Sequence, residues 1–150
     1  MHQVTAPFGP SPEGTPVLTF DNPSDLTQVR EFVCECARAV GLHAERLPAL
    51  RVAISEVATN TLRHTRAGGT VRVWADEGAV VSELTDSGTF QAGTCPACPG
   101  SEGGWGLRIA DEVCDRFDLY SQPGKTVWRL VINLGAHRQS PAVTDRYSGP

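Results

Sequence analysis

The chain has 150 residues, of which 40% are hydrophobic and 20% charged, a composition typical of one globular domain with a single core. A formal net charge of −4 and the lack of any basic cluster argue against direct binding to nucleic acid. No apolar run is long enough to cross a bilayer, and residues 1–16 lack the pattern of a signal peptide, so we expect a cytoplasmic protein without a membrane partner.

The first elements follow a proline-rich beginning. Residues 1–16 contain four prolines and two glycines, which favours an extended or flexible leader, and we expect order to begin with the strand-like run 17–20. Asn22 before Pro23 predicts a helix N-cap with proline in the first turn. Gly41 then predicts the end of this first helix, because glycine readily adopts the left-handed conformation of a helix C-terminus.

A second helix and a hairpin are expected next. The helix is predicted from about Ala44 to Thr65, because apolar residues recur there at helical spacing. These apolar residues are Leu47, Leu50, Ile54, Val57, Ala58 and Leu62. Two β-rich runs, 70–75 and 79–85, flank the turn signal Asp76-Glu77-Gly78 and are typical of a β-hairpin.

The last part of the chain combines a long loop with a helix and two strands. Residues 86–106 are rich in Gly, Pro, Ser and Thr, and such a long loop in a small domain usually serves function. A third helix is predicted over 107–115, followed by strands over 117–120 and 126–134 that are joined through Pro123-Gly124.

The order of these elements predicts an α/β fold of the α+β two-layer type. Five strands and three helices in the order β-α-α-β-β-α-β-β favour a mixed, largely antiparallel sheet with helices on one face. The predicted organisation is therefore a flexible leader (1–16), one domain (17–134) and a polar tail (135–150).

Polar residues border the apolar side of the second predicted helix. Glu56, Asn60 and His64 are spaced four residues apart, so they form one stripe along the helix. A carboxylate and a carboxamide one turn apart offer a general base and a hard oxygen ligand for Mg²⁺. The same spacing is also common on solvated helix surfaces, and His64 is also explained as a cation near a helix C-terminus.

Three glycine-containing segments follow this helix. Asp86-Ser87-Gly88 ends a predicted strand, Gly103-Gly104-Trp105-Gly106-Leu107 leads into the third helix, and Gly124-Lys125-Thr126 enters the last strand. Glycines before a helix let the backbone approach a ligand closely, and helix N-termini favour phosphate. An aspartate at a strand end can accept a hydrogen bond from the amino group of a base. Each segment alone is also compatible with an ordinary turn or connection.

Taken together, these motifs resemble those of the GHKL (Bergerat-fold) ATPase superfamily. The segments that match its N, G1, G2 and G3 boxes are Glu56–Asn60, Asp86–Gly88, Gly104–Leu107 and Gly124–Thr126. The resemblance covers roughly residues 17–134 and its fold is that of a histidine-kinase-type ATPase domain. Within the superfamily, the chain looks most similar to the anti-sigma-factor serine/threonine kinases.

The resemblance implies ATP and Mg²⁺ as cofactors and a role for each motif. Asn60 would bind Mg²⁺ between the phosphates, and Asp86 would bind the adenine amino group. Thr126 would support that contact, and Glu56 would be the catalytic base. The remaining residues implied to bind the cofactor are Gly88, Gly104, Gly106 and Leu107.

The implied activity is phosphorylation of a serine or threonine on an anti-anti-sigma protein of the STAS type, together with sequestration of a sigma factor. A homodimer is also compatible with the resemblance. Two alternatives remain open: a non-catalytic, ATP-responsive module that binds a partner, and a regulatory domain that works beside a sensor on another chain.

Two features depart from the family pattern. Thr89 and Phe90 follow Gly88, where a second glycine is usual, which bears on nucleotide affinity. The loop also contains Cys95 and Cys98, with no second pair nearby to complete a zinc site, so we interpret them as loop variation, with a redox or metal role as the alternative. With five cysteines and no secretory signal, reduced thiols are expected.

Overall fold

Three helices lie on one face of a six-stranded sheet in the computed structural model, which describes residues 1–65, 67–89 and 104–135, with only the backbone of 104–106. The strands are β1 (His2–Gln3), β2 (Val17–Phe20), β3 (Gly69–Asp76), β4 (Ala79–Asp86), β5 (Arg116–Gln122) and β6 (Lys125–Asn133). The helices are α1 (Leu26–Ala39), α2 (Leu47–His64) and α3 (Gly104–Val113). The tail 136–150 and loop residues 90–103 lie outside the described residues.

The sheet is mixed but mostly antiparallel, which confirms the expected fold class. Its strand order is β1-β5-β6-β4-β3-β2, and every neighbouring pair is antiparallel except β1 with β5. Strand residues alternate between the two faces, so Trp128, Leu130 and Ile132 enter the core under the helices. The helix α2 packs against both α1 and α3 and against the central strands β4 and β6.

Local sequence signals explain the ends of the first helix and the central hairpin. The Asn22 side chain accepts a hydrogen bond from Ser24 N–H at 3.0 Å and caps a short 3₁₀ turn that leads into α1. At the other end, Gly41 has φ +112°, as a helix-terminating glycine requires. Glu77 and Gly78 both have positive φ, which is the geometry of a tight hairpin turn between β3 and β4.

The N-terminal segment corrects the expected number of strands from five to six. β1 pairs with β5 at one edge of the sheet, whereas β2 lies at the opposite edge, about 24 Å away across five strand spacings. The leader, expected to be extended or flexible up to residue 16, therefore crosses the sheet, with a turn at residues 12–15. The strand was missed because a two-residue strand leaves no alternating pattern in the sequence.

The leader crosses the face of the sheet that the helices leave open. Arg129, which alternates with the core residues of β6, donates from Nη2 to the Gly9 carbonyl at 2.6 Å. Its guanidinium lies 4.6 Å from the centroid of the Phe8 ring and 4.9 Å from that of Trp74. Its Nε donates to Glu83 Oε2 at 2.7 Å, so one arginine joins the leader to two strands.

We expect Arg129→Met to destabilise the protein by about 3 kcal/mol, because it leaves the Glu83 carboxylate without its cation in a largely buried position. The side chains of Arg129 and Glu83 are 17% and 12% exposed. Urea unfolding measures the effect. The double variant Glu83→Gln/Arg129→Met should recover part of the loss, and a single variant as stable as the wild type would contradict the assignment.

The helix α3 begins earlier than predicted, at Gly104 instead of Leu107, so Gly104 and Gly106 of that motif lie in its first turn. The third helix also ends at Val113, where Cys114 follows in the core. Burial, together with the nearby carboxylates of Asp115 and Asp111, raises the pKa of the Cys114 thiol to about 12.

Within the described residues, Cys34, Cys36 and Cys114 are free thiols. No helix in this part of the chain combines the length and apolar character of a membrane span.

Candidate functional site

The predicted polar stripe lies on α2 beside a buried stripe. Glu56 and Asn60 are half-buried, and His64 is exposed at the last position of the helix. Val57 and Thr61, the residues that follow Glu56 and Asn60 in the chain, are fully buried. Among the described residues, neither Glu56 nor Asn60 has a hydrogen-bond or ion-pair partner, so both side chains keep their polar atoms available.

Asp86 stands at the end of β4, on the face of the sheet that α2 covers. It is 8% exposed, and each carboxylate oxygen has a donor. Thr61 Oγ1 donates to Oδ2 at 2.7 Å, and the Gly88 backbone N–H donates to Oδ1 at 2.8 Å. These two bonds fix the plane of the carboxylate between a helix and the loop that follows β4.

The contact between Thr61 and Asp86 brings two predicted site residues together. Asn60 precedes Thr61, so the Cα atoms of these two residues are about 3.8 Å apart. The backbone of Asn60, the predicted metal ligand, therefore lies near Asp86, the predicted contact for adenine, where the last turns of α2 meet the end of β4. Glu56 lies one helical turn before Asn60 on the same helix.

The predicted G1 and G3 segments also meet in the structure. Asp86 and Thr126 are direct partners in the register of β4 and β6. Thr126, which is 3% exposed, donates from Oγ1 to the Gly88 carbonyl at 2.8 Å. The Gly124 N–H donates to Thr89 Oγ1 at 2.8 Å, so the loop after β4 is bonded both to β6 and to the turn that precedes it.

Gly88 has little room for a side chain. A Cβ atom added there would lie 3.2 Å from Asp86 Oδ1, which is closer than most real Cβ contacts. The Gly88 N–H donates to that same oxygen. A larger residue at position 88 would therefore shift the loop or the carboxylate. The short distance to the Asp86 carboxylate thus explains why glycine is favoured at this position of the G1 segment.

The third motif lies on α3, which packs against α2. The backbone of Gly104 and Gly106 belongs to the first turn of this helix. The Leu107 side chain is 1% exposed and belongs to the hydrophobic core, where it contributes packing. Cys95 and Cys98, and the possible metal or redox role considered for them, lie outside the described residues.

The oxygen donors on α2 fit a Mg²⁺ ion that has few protein ligands. Asn60 offers an amide oxygen of the kind that hard cations bind, and the Glu56 carboxylate lies one helical turn away. In the described parts of the chain, no group of three or more His, Cys, Asp or Glu side chains is placed to enclose a metal. A cation held here would therefore take most of its ligands from phosphates and water, as is usual for Mg²⁺ with nucleotides.

Sequence reasoning missed the contacts of three hydroxyl residues of this site. Thr61 holds Asp86, Thr89 accepts from Gly124, and Ser121 Oγ lies 3.0 Å from Thr126 Oγ1. The available signal was a polar residue, Thr61, on the apolar stripe of the second helix. A buried hydroxyl must have a partner, which marks Thr61 as bonded to something across the core.

The fold is shared with known proteins. Residues 20–132 match the model of the histidine kinase-like ATPase domain. No curated protein matches the chain.

Several solved structures have the same fold. The crystal structure of the RsbU and RsbW domains of Rv1364c from Mycobacterium tuberculosis matches with a TM-score of 0.61 and 20% identity, over 82% of this chain and 33% of that chain. The present chain thus spans about a third of that structure.

Two further matches are histidine kinases. The histidine kinase domain of the blue-light activated kinase EL346 from Erythrobacter litoralis has a TM-score of 0.55 and 18% identity, over 81% of this chain and 64% of that chain. The histidine kinase AdeS of Acinetobacter baumannii has a TM-score of 0.52 and 11% identity, over 79% and 68%. The family match covers well over half of the residues, and the chain belongs to the histidine kinase-like ATPase domain family, of the GHKL superfamily.

Proposed function

We propose that this domain binds ATP with Mg²⁺ and transfers the γ-phosphoryl group to a serine or threonine of a partner protein, as a kinase of the anti-sigma-factor type. The observation that carries the proposal is the buried Asp86 carboxylate, held by Thr61 and Gly88 beside the residue Asn60. A carboxylate fixed in this way is an acceptor for the amino group of adenine.

The base and the phosphates would be bound by different elements. Asp86 accepts from the adenine amino group, and Thr126 supports this contact by holding the loop at Gly88. Asn60 and the first turn of α3, with Gly104 and Gly106, bind the metal and phosphate end of the nucleotide. Bound Mg²⁺ neutralises charge that develops on the phosphates.

Glu56 is the proposed general base. It lies one turn before Asn60, half-buried and without a partner among the described residues. A carboxylate in this position can take the proton from an acceptor hydroxyl that is aligned with the γ-phosphate. The contribution of the protein is then the alignment of the two reactants and removal of this proton.

The proposed partners are a STAS-type anti-anti-sigma protein as the phosphate acceptor and a sigma factor as the sequestered protein. The motif pattern of the sequence and the fold shared with a structure that contains an RsbW domain support this choice. A homodimer is part of the same proposal.

One observation favours a non-catalytic, ATP-responsive binding module as a second candidate. Thr89 replaces the second glycine of the G1 motif, and its hydroxyl accepts the Gly124 N–H at 2.8 Å. The loop after β4 is therefore tied to the β5–β6 turn, which restricts its movement. In this candidate, ATP changes partner affinity without phosphoryl transfer.

A titration with ATP in the presence and absence of Mg²⁺ tests the site before any partner is known. We expect Asn60→Ala to lower ATP affinity roughly tenfold or more and to abolish the effect of Mg²⁺, because the amide oxygen no longer binds the cation. Asn133→Ala is the matched control, since Asn133 is exposed at the opposite end of β6 from Thr126. A wild type that does not bind ATP would refute the proposal.

A further inference from the structure

Thr61 makes an unusual contact for a threonine inside a helix. Helical threonines often bond to a carbonyl of the preceding turn, but Thr61 Oγ1 donates across the core to Asp86 Oδ2 at 2.7 Å. The residue is 1% exposed, so water does not compete for this hydroxyl. The bond joins α2 directly to the end of β4.

The contact determines which hydrogen-bonding groups Asp86 presents. A carboxylate has about four acceptor positions on its two oxygens. One is used by Thr61 and one by the Gly88 N–H, and these donors lie on different oxygens. The carboxylate therefore cannot turn about its Cβ–Cγ bond without breaking one of them, and its remaining positions all accept hydrogen bonds.

We propose that Thr61 is a positioning residue that sets the base selectivity of the nucleotide site, an inference that rests on the proposed ATP binding. By donating to Oδ2, it keeps Asp86 in an orientation that accepts from an amino group at the base edge. A base with a carbonyl at that edge, as in hypoxanthine or guanine, would place an acceptor against an acceptor and be rejected.

The selectivity depends on the fixed orientation, because Thr61 itself is too deeply buried to touch the base extensively. When the Thr61 hydroxyl is removed, Asp86 keeps a single described donor, the Gly88 N–H. The carboxylate can then change its orientation while Oδ1 keeps this hydrogen bond. A rotated carboxylate fits the amino group of adenine less well. Affinity for adenine should therefore fall more than affinity for a base that never used this contact.

Thr61→Val and Thr61→Ser test the proposal. Valine keeps the shape of threonine without the hydroxyl, and serine keeps the hydroxyl. The dissociation constants of ATP and of inosine triphosphate, which carries a carbonyl in place of the amino group, are measured by calorimetry with Mg²⁺. We expect the wild type to prefer ATP, Thr61→Val to lower this preference roughly tenfold, and Thr61→Ser to retain it.

Asn60→Ala is the control for a loss of binding at the phosphates. It should weaken both nucleotides equally and leave their ratio unchanged, because both carry the same triphosphate. A purely structural role of Thr61 would likewise lower both affinities in parallel. If circular dichroism shows that Thr61→Val does not fold, Thr61→Ala replaces it, since alanine introduces no methyl group against the carboxylate.

Three results would overturn the inference. A ratio of the two affinities that stays within about twofold of wild type in Thr61→Val would show that the hydroxyl does not set selectivity, even though ATP binds. A Thr61→Ser variant as unselective as Thr61→Val would show that the hydroxyl alone does not maintain the selectivity. A wild type that binds neither nucleotide would instead refute the proposed function and this inference with it.

Discussion

Glu56→Gln is expected to leave ATP binding intact and to slow phosphoryl transfer roughly a hundredfold to ten-thousandfold. Glutamine has nearly the shape of glutamate but cannot accept the proton of an attacking hydroxyl. Because Glu56 is half-buried without a partner among the described residues, its replacement removes no interaction that stabilises the fold there. The measurement is the transfer of labelled γ-phosphate to a purified STAS-type protein, beside an ATP titration.

Glu35→Gln is the matched control, because Glu35 is an exposed carboxylate on α1 and should not affect transfer. Undiminished transfer in Glu56→Gln would exclude this residue as the base. A wild type that binds ATP, never transfers phosphate and changes its affinity for a partner on binding ATP would favour the non-catalytic module instead.

Much of the fold was predictable because its signals are local. The helices α1 and α2 and the β3–β4 hairpin follow from apolar spacing, an Asn-Pro N-cap and turn residues such as Gly78. The leader strand was not predictable in this way. Its two residues are placed by pairing with β5 and by the Arg129 contacts, which join residues 120 positions apart in the chain.

Residues of the candidate site that belong to a sequence motif were predictable. Residues whose role depends on tertiary packing were not. Asp86 and Thr126 belong to recognisable segments, and the strand register places them opposite each other. Thr61 belongs to no such segment, and helical periodicity alone makes it a core position. Its role follows from the crossing of α2 over the end of β4, which only the tertiary structure determines.

Asp86→Asn is expected to lower ATP affinity about a hundredfold or more while the protein stays folded. The amide oxygen can accept the Gly88 N–H in place of Oδ1, because a backbone donor cannot reverse its role. The amide nitrogen then occupies the position of Oδ2, where the Thr61 hydroxyl can turn to accept. We expect a cost in the free energy of unfolding of about 1 kcal/mol, measured with urea.

The change should reverse base preference as well as weaken binding. The second hydrogen of the new amide points to the place where adenine presents its amino group, so two donors meet. Inosine triphosphate presents a carbonyl there and should bind Asp86→Asn better than ATP does. Asp76→Asn, an exposed position at the other end of the β3–β4 ladder, should leave both affinities unchanged. An ATP affinity within twofold of wild type in Asp86→Asn would mean that this carboxylate does not bind the base, because no neutral amide can reproduce two accepting oxygens.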